Sequence, residues 1–182
     1  IINCNPAVYS NGALVLQYQW LDTVYVKNII VQGNTKTARG ITIYSLVESI
    51  RVAEVDSCQV YDIHAVNNAG VTSNLHSISI YSTAWGWDAS ITNCITDGVT
   101  RDKTGLACQS IVIVGMQNAL VENNSVINVY HSGQSGDKQD ADGIVVFSHQ
   151  DGSGNYEKST ATIINNTLRQ CEGRFIKLQT KN

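Results

Sequence analysis

RGITIYS (residues 39–45) and HSISIYS (residues 76–82) are close to the same heptapeptide. In both, apolar and small or polar residues alternate, and the apolar ones are β-branched. That is the period of a strand, not of a helix. Four relatives follow the same pattern: GALVLQY (12–18), QSIVIVG (109–115), DGIVVFS (142–148) and RFIKLQT (174–180). Their first inward apolar residues are Leu14, Ile41, Ile78, Ile111, Ile144 and Ile176, separated by 27, 37, 33, 33 and 32 residues. A second set lies between them: VKNIIVQG (26–33), DSCQVYDI (56–63), ITNCITDG (91–98), ENNSVINV (122–129) and INNTLRQC (164–171). Each of these reads as a short strand, a bend rich in Asn or Cys, and another short strand.

One period thus holds about three short β segments, with no sustained helical spacing. Such a unit cannot bury a face alone and must stack on its neighbours. Stacked coils would place strands in parallel about 4.8 Å apart. Two interior columns follow: Leu14, Ile41, Ile78, Ile111, Ile144, Ile176, and Leu16, Ile43, Ile80, Ile113, Val146, Leu178. The expected architecture is all-β, a right-handed single-stranded parallel solenoid of about five to six coils filling residues 1–182. Asn28, Asn93, Asn124 and Asn166, with Cys58 in one coil, fall at the bend. There Asn tolerates a left-handed backbone and can bond its counterpart one coil away. Asn123-Asn124-Ser125 and Asn165-Asn166-Thr167 also match the glycosylation acceptor pattern; we read them as bend residues.

Composition bounds the partners. The 182 residues carry a formal net charge of −3 and only 15% charged residues. Nucleic-acid binding needs clustered Lys and Arg, so it is not expected. No apolar run reaches the roughly 18 residues of a membrane span, and the first residues lack the form of a signal peptide. The β pattern is already running near residue 13 with no initiator Met, so the chain reads as a piece of a longer protein. Cys4, Cys58, Cys94, Cys108 and Cys171 form no CxxC pair. They read as small buried thiols rather than a disulfide framework or zinc site, fitting a chain that folds in a reducing compartment.

Three short strands per coil and an Asn-rich second turn resemble the parallel β-helices of the pectate-lyase-like superfamily, over about residues 13–180. The sparse cysteines, missing signal and long loops are most similar to a bacteriophage tailspike depolymerase. The resemblance implies a homotrimer in a virion tail spike, extracellular when acting, or a secreted protein. It implies a polysaccharide substrate and no cofactor. Within the superfamily, saccharides bind on the face of the first strand of each coil.

The variable loops lie around that strand, and variable loops on a rigid scaffold are where sites are built. Immediately before the strand stand Gly12, Arg39, His76, Gln109, Asp142 and Arg174. On its outward side stand Val15, Thr42, Ser79, Val112, Val145 and Lys177, then Gln17, Tyr44, Tyr81, Val114, Phe147 and Gln179. The candidate catalytic residues are Asp140, Asp142, His149, Asp151 and Glu157, at the two ends of one strand. Hydrolysis of a glycosidic bond uses two carboxyls across the scissile bond. Asp142 paired with Arg174 would suit a general base, and Asp140 without that partner a general acid. His76, Tyr81, Trp85, Trp87, Arg174 and Lys177 are the candidate substrate contacts, the tryptophans because a flat apolar ring suits a pyranose face. Asp137, Asp140 and Asp142 offer oxygens of the kind calcium takes, but without an EF-hand spacing. Two other functions stay open: a polysaccharide lyase or epimerase, with His76, Arg174 and Lys177 as base and cations, and a glycan-binding or adhesin solenoid without catalysis.

Overall fold

The computed structural model describes residues 2–3, 13–18, 22–34, 37–45, 49–65, 74–102, 106–132, 140–149 and 157–179. Strand β1 (Ile2–Asn3) is followed by coils of three strand segments. These are β2 (Leu14–Tyr18), β3 (Thr23–Lys27) and β4 (Ile30–Gln32), then β5 (Arg39–Ser45), β6 (Val52–Asp56) and β7 (Gln59–Ala65). In the next two coils the first and second segments run together, as β8 (Leu75–Thr92) with β9 (Ile95–Arg101), and β10 (Cys108–Glu122) with β11 (Ser125–His131). β12 (Ala141–Phe147), β13 (Thr160–Ile164), β14 (Thr167–Cys171) and β15 (Ile176–Gln179) complete the chain. All pairings are parallel and join each coil to the next. The fold is an all-β solenoid, with no α-helix among the described residues.

The interior columns stand in the expected register. Leu14 pairs with Ile41, Ile41 with Ile78, Ile78 with Ile111, Ile111 with Ile144, and Ile144 with Ile176. Ile41, Ile43, Ile78, Ile80, Ile111, Ile113 and Ile144 have no solvent exposure. The second segments add Val26, Val55, Ile91 and Val121, and the third add Val31, Val60, Val126, Ile63, Val99 and Val129. Each side chain therefore meets like side chains above and below and two other faces across the coil, which is how a short strand buries one side completely.

The bend between the second and third segments stands where expected at Asn28 and Asn93 and lies one residue earlier than expected in the other three coils. Asn28, Ser57, Asn93, Asn123 and Asn165 take the left-handed backbone, with φ between 54° and 57°. The ladder is built by the residues after them. The backbone N–H groups of Asn124 and Cys94 donate to the side-chain oxygens of Asn166 and Asn124, both at 2.9 Å. Farther down the stack the Cys58 N–H donates to the sulfur of Cys94 at 3.4 Å. Asn28 and Asn93 are thus turn residues, while Asn124 and Asn166 are ladder residues. Cys94 and Cys58 do the same work with a thiol, each S–H donating to carbonyls of its own and the neighbouring coil. A second left-handed column, Asp62, Gly98, Asn128 and Gln170, crosses the third face. Its signal in the sequence is a polar residue or Gly at the same offset after each bend.

Candidate functional site

The first-strand face carries a groove running along the solenoid axis, across the strands. The column Thr42, Ser79, Val112 and Val145, outward by alternation, is not on the surface. All four are buried, and Thr42 and Ser79 hydrogen-bond each other at 2.9 Å. The physical reason is that taller rows flank this column on both sides. One wall is Tyr44, Tyr81, Val114, Phe147 and Gln179; the other includes Asn74, Ala107 and Asp140. At about 4.8 Å per coil the tall wall is roughly 20 Å long. The groove between these walls is made of two adjoining hollows of about 320 and 380 Å³, and a third of about 410 Å³ lies on the other side of the aromatic row, against Ser82, Thr83, Ser148 and His149; all three share Tyr81. Tyr44 and Tyr81 meet edge to face, with ring centroids 6.1 Å apart.

Beneath one wall runs a chain of polar side chains, one from each coil: Arg39, His76, Gln109, Asp142 and Arg174. Parallel register puts them there, and from His76 to Arg174 each is hydrogen-bonded to the next. Gln109 donates its amide to the Asp142 Oδ2 at 3.1 Å and hydrogen-bonds His76 with its remaining polar atom. The Tyr81 hydroxyl lies 3.2 Å from the His76 Nδ1. His76 is 1% exposed. Burial, and then the Arg39 charge, push its pKa down to about 3, so it is neutral near pH 7 and lines only the groove floor. Burial likewise pushes the Tyr81 phenol up to about 12.

At the other end Asp142 is fully buried and accepts from the Arg174 Nε at 2.8 Å and Nη2 at 3.2 Å. The expected pairing is present, but the acid and base assignment built on it is not supported by the geometry. Asp142 is sealed under the groove, and Asp140 also holds Arg174, through Nη2 at 2.5 Å, with Lys177 at 3.5 Å. The two carboxylates share one guanidinium nitrogen, and only Asp140 faces solvent. The hydrogen bond to Asp142 raises the Arg174 pKa further, so that guanidinium stays charged. Lys177 also lies 5.3 Å over the Phe147 ring. As for calcium, Asp137 is outside the described residues, and Asp140 and Asp142 already converge on a cation.

The remaining candidates divide. His149 lines the far hollow and meets the edge of Trp85, with centroids 6.1 Å apart. The Glu157 N–H donates to the His149 carbonyl at 3.0 Å, and the Glu157 residue is exposed. Asp151 lies outside the described residues. Trp87 is separated from Trp85: it sits past the turn at the edge of the second face, 56% exposed. The groove also uses Asn74, Tyr44, Phe147 and Gln109. Column alignment finds the last three, and only the structure finds Asn74, because it precedes the repeat. Among the described residues no helix is long and apolar enough to cross a membrane. Comparison with protein-family models, with curated proteins and with solved structures finds no match.

Proposed function

We propose that this solenoid is a polysaccharide depolymerase of the glycoside hydrolase type, acting in the first-face groove. One observation supports it most: a long groove walled on one side by Tyr44, Tyr81 and Phe147 has a cation-clamped carboxylate, Asp140, on its opposite wall. Aromatic faces suit sugar rings, and two carboxyls across a bound chain are the equipment of glycosidic hydrolysis. In this reading Asp140 is a catalytic carboxylate and Glu157 its counterpart. Asp142 and Gln109 are positioning residues that hold Arg174 and the wall in place. Tyr81, Phe147, Trp85 and His149 contact the saccharide.

The lyase reading requires a cation free to neutralise a uronate beside the base. With His76 as that base and Arg174 and Lys177 as the cations, the base is buried in the groove floor and both cations are already engaged by carboxylates, which favours hydrolysis. The resemblance noted from sequence extends the proposal to a bacterial capsular or exopolysaccharide as substrate and to a homotrimeric phage tail spike as the setting. Product analysis tests the reaction type. Hydrolysis yields reducing ends with no ultraviolet absorbance from an unsaturated uronate, whereas equal growth of both signals would replace this reading by the lyase.

A further inference from the structure

We infer that the Arg39 end of the groove is an anion subsite, taking a negatively charged substituent of the bound glycan. The inference rests on the reading of the groove as a glycan site. It starts from a contrast between the two ends. Around Asp140 every cation is matched by a carboxylate. At the other end a hollow of about 320 Å³ is lined by Arg39, Tyr44, Asn74, His76 and Tyr81, with no carboxylate among them. Arg39 makes no ion pair among the described residues. Its Nε is buried without a hydrogen-bond partner there.

The surroundings are arranged to keep that charge and leave it unanswered. The guanidinium lies 5.9 Å from the centroid of the Tyr81 ring, a contact that holds a cation without neutralising it. Asn74 spends its carbonyl oxygen on the Ala107 N–H at 3.0 Å, so what it has left is a donor. His76 is neutral and already bonded within the floor. Donors therefore outnumber acceptors, and the planar guanidinium fork matches a carboxylate, sulfate or phosphate. Arg39 stands three coils from Asp142 in the same column, roughly 14 Å along the axis. At that distance it binds and orients the chain and takes no part in bond cleavage.

The test is calorimetric titration of the full chain with matched oligosaccharides. A hyaluronan hexasaccharide is compared with its carboxyl-reduced form, a sulfated dextran oligosaccharide with its unsulfated form, and inorganic phosphate is titrated alone. The charged member of at least one pair should bind roughly tenfold tighter or more, with a preference that shrinks as salt is raised. The pair showing it identifies the substituent. Arg39→Gln should bring the charged partner's affinity down to that of its neutral counterpart, and Arg39→Lys should keep part of the preference. Should Arg39→Gln not fold, loss of most of the preference in Arg39→Lys serves as the same support. Charged and neutral partners binding alike, a preference surviving Arg39→Gln, or no probe binding at all would each overturn the subsite. Glycans bound and cut regardless of charge would overturn it while leaving the depolymerase intact. Arg39-dependent phosphate binding with no oligosaccharide binding would support the anion site and refute the glycan reading.

Discussion

Asp142 and Asp140 are two residues apart and take opposite parts. Asp142 is buried, hydrogen-bonded by Gln109 and Arg174, and its loss leaves a guanidinium without its main partner. Asp142→Asn is expected to cost about 3 kcal/mol in urea unfolding, the scale of breaking a buried pair. Asp140→Asn, at the exposed end of the same cluster, should change stability by no more than about 1 kcal/mol. His76 gives a pH signature. Its folded pKa of about 3 lies below the usual 6.5, so on acidification the unfolded chain takes up the proton first. The stabilisation from neutral His76 is complete above pH 6.5 and declines as pH falls toward 3, by at most about 1.4 kcal/mol per pH unit. Unfolding measured from pH 7 to about 5 should show that slope, and His76→Gln should flatten it. The Asp142–Arg174 pairing was legible because both precede the same strand one coil apart. The burial of Asp142 was not, since it depends on the height of neighbouring rows rather than on its own strand.

At the scale of the element, the bends carry more information than their Asn content suggested. Both asparagines of Asn123-Asn124 suit a bend, and alternation alone cannot say which one turns the chain and which points inward. Asn123 bears the left-handed φ of 57°, while Asn124 gives its oxygen to the Cys94 N–H and its amide to the Ile91 carbonyl and Asn166. Asn124→Ala is therefore expected to cost about 2–3 kcal/mol by leaving buried groups unpaired. Asn123→Ala should cost about 1–2 kcal/mol, and Asn123→Gly less than about 0.5 kcal/mol. A larger loss for Asn123→Ala than for Asn124→Ala, or an Asn123→Gly as damaging as Asn123→Ala, would contradict the division of roles. Gly115 marks a second element-level constraint, where the register of β10 against β8 shifts. Its φ is +75°, and a Cβ there would stand 2.2 Å from the Ser82 carbonyl oxygen. Gly115→Ala should lower stability by more than about 2 kcal/mol in thermal melts. Nothing in QSIVIVG marks that contact, because Ser82 belongs to the coil before.

For the whole molecule, the stack was readable from sequence because a solenoid repeats its rules in every coil. The recurring Ile column fixes strand, face and register together, and the six residues named from spacing are the ones in register. The groove was legible in part. Tyr81 and Lys177 fall where the columns put them, whereas Trp87 leaves for the second face and Arg39 acquires its isolation only from what surrounds it. Residues 133–139 and 150–156, from the loops at either end of β12, lie outside the described part. We propose that a polysaccharide is cut in this groove with Asp140 as a reacting carboxylate. The direct measurement is reducing-end release from a panel of capsular and exopolysaccharides by the full chain and by folded Asp140→Asn. Release is expected on at least one polysaccharide, with a loss of ~10²–10⁴-fold in rate for the variant. Turnover of Asp140→Asn within about threefold of the parent, far short of that loss, would contradict it.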